Sequence, residues 1–449
     1  MALLRNDVLR SGALCALVGV LALGLTVGAG AGVVLAAPQD SFEDQIANLK
    51  SPTPRTRQRA AKALGESRRA AAVAPLSALV RDPEPRVRLE VVLALRELRD
   101  LSAVPALVTS LQDGDPKVRE QAIGALVEIY SERERSGAVE RFLQTFSDEF
   151  DRPSVPPYTT VDPAVFRGLS GTLQDEESRL RAMAAQSIGI LGGVSVSDAL
   201  VAALQDPESN VRGAAVTALA KVGDAEQGKA LIPLLADDSS QVRNRAIEAL
   251  GILHVTEAGP ALRELFEQNR RRSLATRVLA ALSKTGDPGQ ADLYRELLAS
   301  TDPERRRMAV EGFASISDPA MLDGFKKDFQ REKNADVRLA YNFALVLLGD
   351  RAFVDSIVLS LGASGSRGAR ARGYLMELGP AYAVDLYPYL GDQDASVRAN
   401  LCGVLADLGD PAAIEWLSRL LSDPDSNVAD AANRAIQRLR REPAPLSGE

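Results

Sequence analysis

The chain has 449 residues, of which 46% are hydrophobic, 25% charged and only 4% aromatic, with a net charge of −7. That length allows two to four ordinary domains, but so few aromatics argue against large layered cores and for helices packed closely through Ala, Leu and Val. The acidic balance excludes the basic surplus by which nucleic-acid binders hold phosphates.

The N-terminus reads as a targeting segment. Arg5 and Arg10 precede a run without charge from Ser11 to Gln39 that ends VVLAAPQD. Small residues at Val34 and Ala36 suit signal-peptidase cleavage after Ala36, and the run is also long enough to cross a bilayer. Residues 1–36 are therefore either a cleaved signal peptide or an uncleaved N-terminal membrane anchor. Both place the body outside the cytoplasm, in the periplasm or the extracellular space. GALC at Cys15 is a poor lipobox. After cleavage Cys402 is the one cysteine left, so stability must come from packing without an intramolecular disulfide.

From about Glu43 to Arg441 one pattern recurs. Its clearest copies are DPEPRVRLEVVLALREL from Asp82, DPESNVRGAAVTALAKVG from Asp206 and DDSSQVRNRAIEALGILH from Asp237. An anchor arginine falls at Arg57, Arg88, Arg119, Arg181, Arg212, Arg243, Arg306, Arg338 and Arg398, with gaps of 31, 31, 62, 31, 31, 63, 32 and 60. The doubled gaps predict units without the arginine near Phe150, Ala275 and Gly368, and a last unit lies at Ala429. Seven residues after the anchor an apolar side chain returns, as at Leu95, Leu126, Ile188, Leu219 and Leu250. Val211, Ala215, Ala218, Leu219 and Val222 lie on one face of an α-helix. Gly409, Asp410 and Pro411 then end one helix, cap the next and occupy its first turn. No stretch alternates with period two, so no sheet is predicted. Each unit is a helical hairpin too small to bury its own apolar face, and stacking neighbours supplies the core.

DPESNVRGAAVTALAKVG resembles a HEAT repeat of the short type found in phycobilisome-lyase-like proteins. The resemblance implies an all-α fold: an α-solenoid, a right-handed superhelix of about twelve HEAT-like hairpins. It also implies a hydrogen-bonded ladder between neighbouring repeats, formed by an aspartate and the arginine six residues on. Here those pairs are Asp82 and Arg88, Asp113 and Arg119, Asp175 and Arg181, Asp206 and Arg212, Asp237 and Arg243, and Asp392 and Arg398.

Departures from the pattern carry the functional expectations. Residues 147–165 contain Pro153, Pro156 and Pro157, which forbid a regular helix. They predict an irregular loop that presents Arg152, Tyr158 and Asp162, read either as a degenerate repeat or as a partner-binding arm. Arginines cluster at Arg270 to Arg272, at Arg305 to Arg307, and at Arg367, Arg370 and Arg372, either as displaced ladder residues or as a patch for a polyanion. Nine aromatics from Phe325 to Tyr389 read as core filling or as interface anchors. In HEAT-like stacks the anchor helix lines the concave side, so positions one, two and five after the anchor face the groove. Most are small or polar, but Leu339 and Phe343, and likewise Leu89 and Leu93, are apolar and are candidate partner contacts. Residues 442–449 are expected to be a disordered tail.

No catalytic, metal or cofactor site is predicted. His254 is the single histidine, which rules out the paired His-Glu motifs of the di-iron deoxyhypusine hydroxylases that share this repeat type, and no zinc set or Ser-His-Asp arrangement is available. Cys402 lies at an apolar helix position and is expected to be a buried thiol. The sequence reads as an exported, non-enzymatic scaffold or assembly factor that binds proteins along its concave surface and no nucleic acid. The alternatives are a lyase- or chaperone-like accessory acting on a client polypeptide, or a glycan or polyanion binder.

Overall fold

Proline and aspartate set where the helices begin. In the computed structural model, which describes residues 41–131 and 160–441, Pro54, Pro85, Pro116 and Pro303 each open a helix in its first turn. There the missing N–H is of no consequence and the fixed φ is already helical. Asp115, Asp302 and Asp394 cap helix starts by accepting from the backbone two residues on. Gly192 and Gly409 end helices in the left-handed conformation, with φ of 77° and 70°, which costs glycine little.

The described residues form helices and no strands. The chain separates at Ser41 into two units, and the second, from Phe42, carries the stack. Twelve helices hold the anchor positions: α1 (Pro54–Glu66), α2 (Pro85–Leu98), α3 (Pro116–Tyr130), α4 (Ser178–Leu191), α5 (Ser209–Val222), α6 (Ser240–Ile252), α7 (Leu274–Leu282), α8 (Pro303–Ile316), α9 (Ala335–Leu347), α10 (Ser366–Leu378), α11 (Ala395–Leu408) and α12 (Ser426–Arg441). Each is preceded by an outer helix, shorter than its anchor helix everywhere but before α7 and often opened or closed by a 3-10 turn. Successive anchor helices pack side by side, and the outer helices cover them.

The apolar position seven residues after the anchor is fully enclosed: Leu64, Leu95, Leu126, Ile188, Leu219 and Leu250 all have 0% exposure. These side chains join one continuous core that runs the length of the stack. Small residues let the backbones approach. A Cβ on Gly65, Gly189 or Gly251 would come within 2.9 Å of Ala94, Ala218 or Ala281 on the next anchor helix, so close helix contact is written into those positions.

The doubled gap between Arg119 and Arg181 predicts a unit near Phe150. The stack instead passes directly from α3 to α4. Arg119 reaches Asp175 with Nε–Oδ2 at 2.6 Å and Nη2–Oδ1 at 2.9 Å, and Arg179 reaches Glu120 at 2.7 Å. Among the described residues no unit stands between these two helices, and the ladder step runs from Arg119 straight to Asp175. Arg152, Tyr158 and most of 147–165 lie outside the described residues, as do 1–40 and 442–449. Asp162 is described, and its side chain caps the helix Pro163–Thr172.

Candidate partner-binding site

The ladder is the frame from which the site is read. Seven of the nine anchor arginines, all but Arg243 and Arg338, donate twice to a carboxylate of the following unit and once or twice to carbonyls just before their own anchor helix. Arg88 gives Nε to Asp113 Oδ2 at 2.6 Å, Nη2 to Asp113 Oδ1 at 2.8 Å, and Nη1 to the Asp82 carbonyl at 2.8 Å. Arg57–Asp82, Arg119–Asp175, Arg181–Asp206, Arg212–Asp237 and Arg398–Asp423 repeat this arrangement, and Arg306–Glu332 does so one residue later. The aspartate also accepts from the backbone N–H two residues on, as Asp237 does from Ser239 at 2.8 Å. One carboxylate therefore joins two units and starts a helix.

This corrects the pairing expected above. Asp82, Asp113, Asp175, Asp206 and Asp237 do not pair side chain to side chain with the arginine six residues on. They give that arginine a backbone carbonyl. Their carboxylates belong to the anchor arginine of the preceding unit, in turn Arg57, Arg88, Arg119, Arg181 and Arg212, with Arg119 reaching Asp175 across the insertion. Asp392 follows the first half of the rule only. Its carbonyl accepts from Arg398 at 2.7 Å, but Arg367, the arginine at the start of the preceding anchor helix, turns to Asp336 at 3.1 Å.

The ladder stops at Arg243. Its Nη1 donates to the carbonyls of Asp237 and Asp238 at 2.6 and 3.0 Å, and Nε and Nη2 have no partner among the described residues. The following unit offers no carboxylate at the ladder position. Gln268 and Asn269 stand where the acid would be, and their amides are turned to Glu264 and to the Leu265 carbonyl. That unit also has Ala275 at its own anchor, so the step from α7 to α8 lacks a ladder arginine as well. The anchor helix α7 spans nine residues, against 13 or 14 in its neighbours α6 and α8.

A groove of about 830 Å³ opens at this interruption. Arg243, Asn244 and Glu248 of α6, Ser273 and Arg277 at α7, and Lys284 beyond it supply its polar wall. Leu235, Ile252, Leu265 and Leu274, each half-buried, supply apolar surface, while Ile247 and Met308 beside them are buried. Arg277 is paired with Glu248 at 2.8 Å. At the floor Arg307, 7% exposed, is paired with Glu304 and Glu311, each at 2.5 Å. Tyr374 of α10 donates to Glu311 of α8. Anchor helices two units apart thus touch, which makes the anchor face the inner side of the bend there.

Leu339 and Phe343, expected in the groove, are 2% and 1% exposed. Phe343 stacks on Tyr374 at 4.3 Å between centroids and 6° between planes. The next anchor helix covers it, so neither residue offers a surface to a partner. Leu89 and Leu93 are half-buried, with Leu89 packed against the core. The aromatics fill contacts between helices: Tyr294, Phe313, Phe325 and Tyr341 form an edge-to-face series with centroids 5.3–5.8 Å apart.

The arginine clusters are mostly spent on neighbours. Arg270 pairs with Glu267 and with Glu296 at 2.6 Å. Arg305 bonds the Arg270 carbonyl at 2.7 Å, Arg367 and Arg370 share Asp336, and Arg372 pairs with Asp407. Arg271 and Arg272 differ. Both are exposed on the turn leading into Ser273 and neither makes an ion pair among the described residues. His254 is exposed and its Nδ1 donates to the Lys284 carbonyl at 2.7 Å. Cys402 is fully buried, as expected of its helix position, and burial pushes its thiol up to about 12.

Sequence reasoning misses the groove when it looks for unusual residues in each unit. The available signal is an absent acid. Arg57, Arg88, Arg181, Arg212 and Arg398 each have an aspartate at one fixed spacing ahead, and Arg243 has none there.

The model of the family described as HEAT repeats matches residues 43–126, 161–220, 197–280 and 384–447, together more than half of the chain. The chain belongs to the HEAT-repeat family. No curated protein matches its sequence. Solved HEAT-like structures similar to it include the CpcE–CpcF complex of phycocyanin lyase from Nostoc sp. PCC7120, at 22% identity over 58% of this chain and 100% of that one, with a TM-score of 0.29. The Escherichia coli protein YibA is 17% identical over 60% of this chain and 91% of its own, with a TM-score of 0.38. Importin beta is 13% identical over 89% of this chain and 64% of that one, with a TM-score of 0.41.

Proposed function

We propose that this HEAT-repeat chain is an exported, non-catalytic scaffold that binds other proteins along the inner face of its anchor helices. The observation that carries the reading is the coincidence of the ladder interruption at Arg243 with the 830 Å³ groove. At Arg57, Arg88, Arg119, Arg181, Arg212, Arg306 and Arg398 the seam is closed by paired charges, and here a cationic and partly apolar surface is left open. Export rests on the uncharged run from Ser11 to Gln39 behind Arg5 and Arg10. The protein acts there by holding a partner in place, without a cofactor.

Site-directed photocrosslinking in the producing cells tests this. A photoreactive residue at Asn244, inside the groove, is compared with one at Val384, which is 69% exposed on an outer helix. Discrete protein adducts from Asn244 and none from Val384 support the reading. Adducts only from Val384, or none from either, overturn it. A crosslinked client that carries a new covalent modification would instead favour the lyase-like role.

A further inference from the structure

We propose that Arg243 is a receptor for a carboxylate side chain, and that the groove beside it binds an acidic segment of a partner polypeptide which completes the interrupted ladder. The proposal rests on the protein-binding reading above and adds the chemistry of the partner. In the same chain, Arg212 shows what such a fork binds: Asp237, through Nε–Oδ2 at 2.7 Å and Nη2–Oδ1 at 2.8 Å. Arg243 is fixed at its helix start by the same Nη1 bonds to carbonyls as Arg212. Its remaining donors are therefore pre-positioned, and a planar carboxylate is their matching acceptor.

Arg338 provides the contrast. It too lacks a carboxylate, but its guanidinium lies 3.9 Å over the Phe329 ring and Nη1 bonds the Phe329 carbonyl at 2.7 Å. Its face is taken, whereas Arg243 lines open space.

The surroundings favour a peptide over a dense polyanion. Lys284, exposed on the groove wall, and Arg271 and Arg272, exposed on the adjoining turn, add positive charge without ion-pair partners among the described residues. Glu248 and Glu304 lie on the same walls and would repel a run of closely spaced phosphates or sulfates. Ile252, Leu265 and Leu274, each half-buried, give apolar contact area, which a peptide side chain can use and a polyanion backbone cannot.

The test is selection from two fluorescein-labelled peptide pools by the folded chain. One pool carries a central aspartate or glutamate between random positions, and the other carries asparagine or glutamine there. The wild-type chain should retain the acidic pool about tenfold more strongly. Arg243→Ala should abolish that preference, and Arg243→Lys, which keeps the charge and loses the fork, should restore little of it. Arg338→Ala should retain it. Circular dichroism melts establish that each variant is folded, and the wild-type comparison of the two pools stands whether or not Arg243→Ala folds. Equal retention of both pools by the wild type, or an acidic preference that survives in Arg243→Ala, overturns this proposal while leaving the scaffold reading intact. Failure of any peptide to bind, with heparin retained instead, overturns both.

Discussion

Arg212 and Asp237 lie 25 residues apart in sequence and are joined by two parallel hydrogen bonds, while the third arm of the same guanidinium holds the carbonyl of Asp206 at 2.9 Å. The side chains are 16% and 5% exposed. Arg212→Ala would leave the Asp237 carboxylate largely shielded without its cation, and Asp206 would keep Arg181. The expected loss is about 2–3 kcal/mol. A double-mutant cycle with Asp237→Ala should show strong coupling. A coupling near zero would mean that the ladder is decoration on a stack held by packing alone.

The same pairs set the acid limit of the fold. The hydrogen bonds from Arg212 and Arg398 hold the carboxyls of Asp237 and Asp423 below the ordinary value of 3.8. A depressed native pKa contributes stability that is complete above the unfolded value and is lost as pH falls through the native one. Urea midpoints should therefore be flat in these pairs' contribution above about pH 5 and fall below about pH 4. Arg212→Ala should shallow that fall. An unchanged acid limb would remove Asp237 from the account.

Leu219 has no exposed surface and packs in the seam between units. Leu219→Ala should cost about 2–5 kcal/mol. Because repeats couple to their neighbours, hydrogen exchange should rise most in α4, α5 and α6 and least in α11 and α12. A uniform rise along the chain would contradict nearest-neighbour stacking.

The sequence reveals the period, the helical hairpins and both members of the ladder, because each follows from residue type at fixed spacing. It hides which members pair. Arg88, Arg181, Arg212 and Arg398 each follow one aspartate and precede the next at constant spacings, so those units are silent on the choice. Units in which one member is missing break the symmetry, and the two ends show it plainly. Arg57 has Ser51 behind it and Asp82 ahead, and Asp423 has Ala429 after it and Arg398 before. Phe343 is misplaced by sequence for a related reason. Helical position locates a side chain on its own helix, but its burial depends on Tyr374, which the next unit brings in. Phe343→Ala should accordingly destabilise the fold by about 3–5 kcal/mol. A variant with wild-type melting behaviour would put it back on the surface.

The step from α3 to α4 gives the strongest test of what counts as a unit. Arg119 reaches Asp175 directly, Arg179 pairs with Glu120, and the Asp162 N–H donates to the Tyr130 hydroxyl at 3.3 Å. These bonds fasten both ends of the insertion to the stack. Elsewhere only a few residues join an anchor helix to the next outer helix, as between Val222 and Ala225. Removing residues 132–159 would leave Ser131, Thr160, Val161 and Asp162 between Tyr130 and Pro163, a connection of similar length. The shortened chain should keep its stability within about 2 kcal/mol of the parent. Hydrogen exchange protection in α3 and α4 should be retained. If the deleted residues were a load-carrying repeat, their loss would strip a neighbour from both helices, and protection there would collapse. If they form a partner-binding arm, the same variant should fold normally and show weaker crosslinking from Asn244, which separates a structural unit from a recognition segment in one experiment.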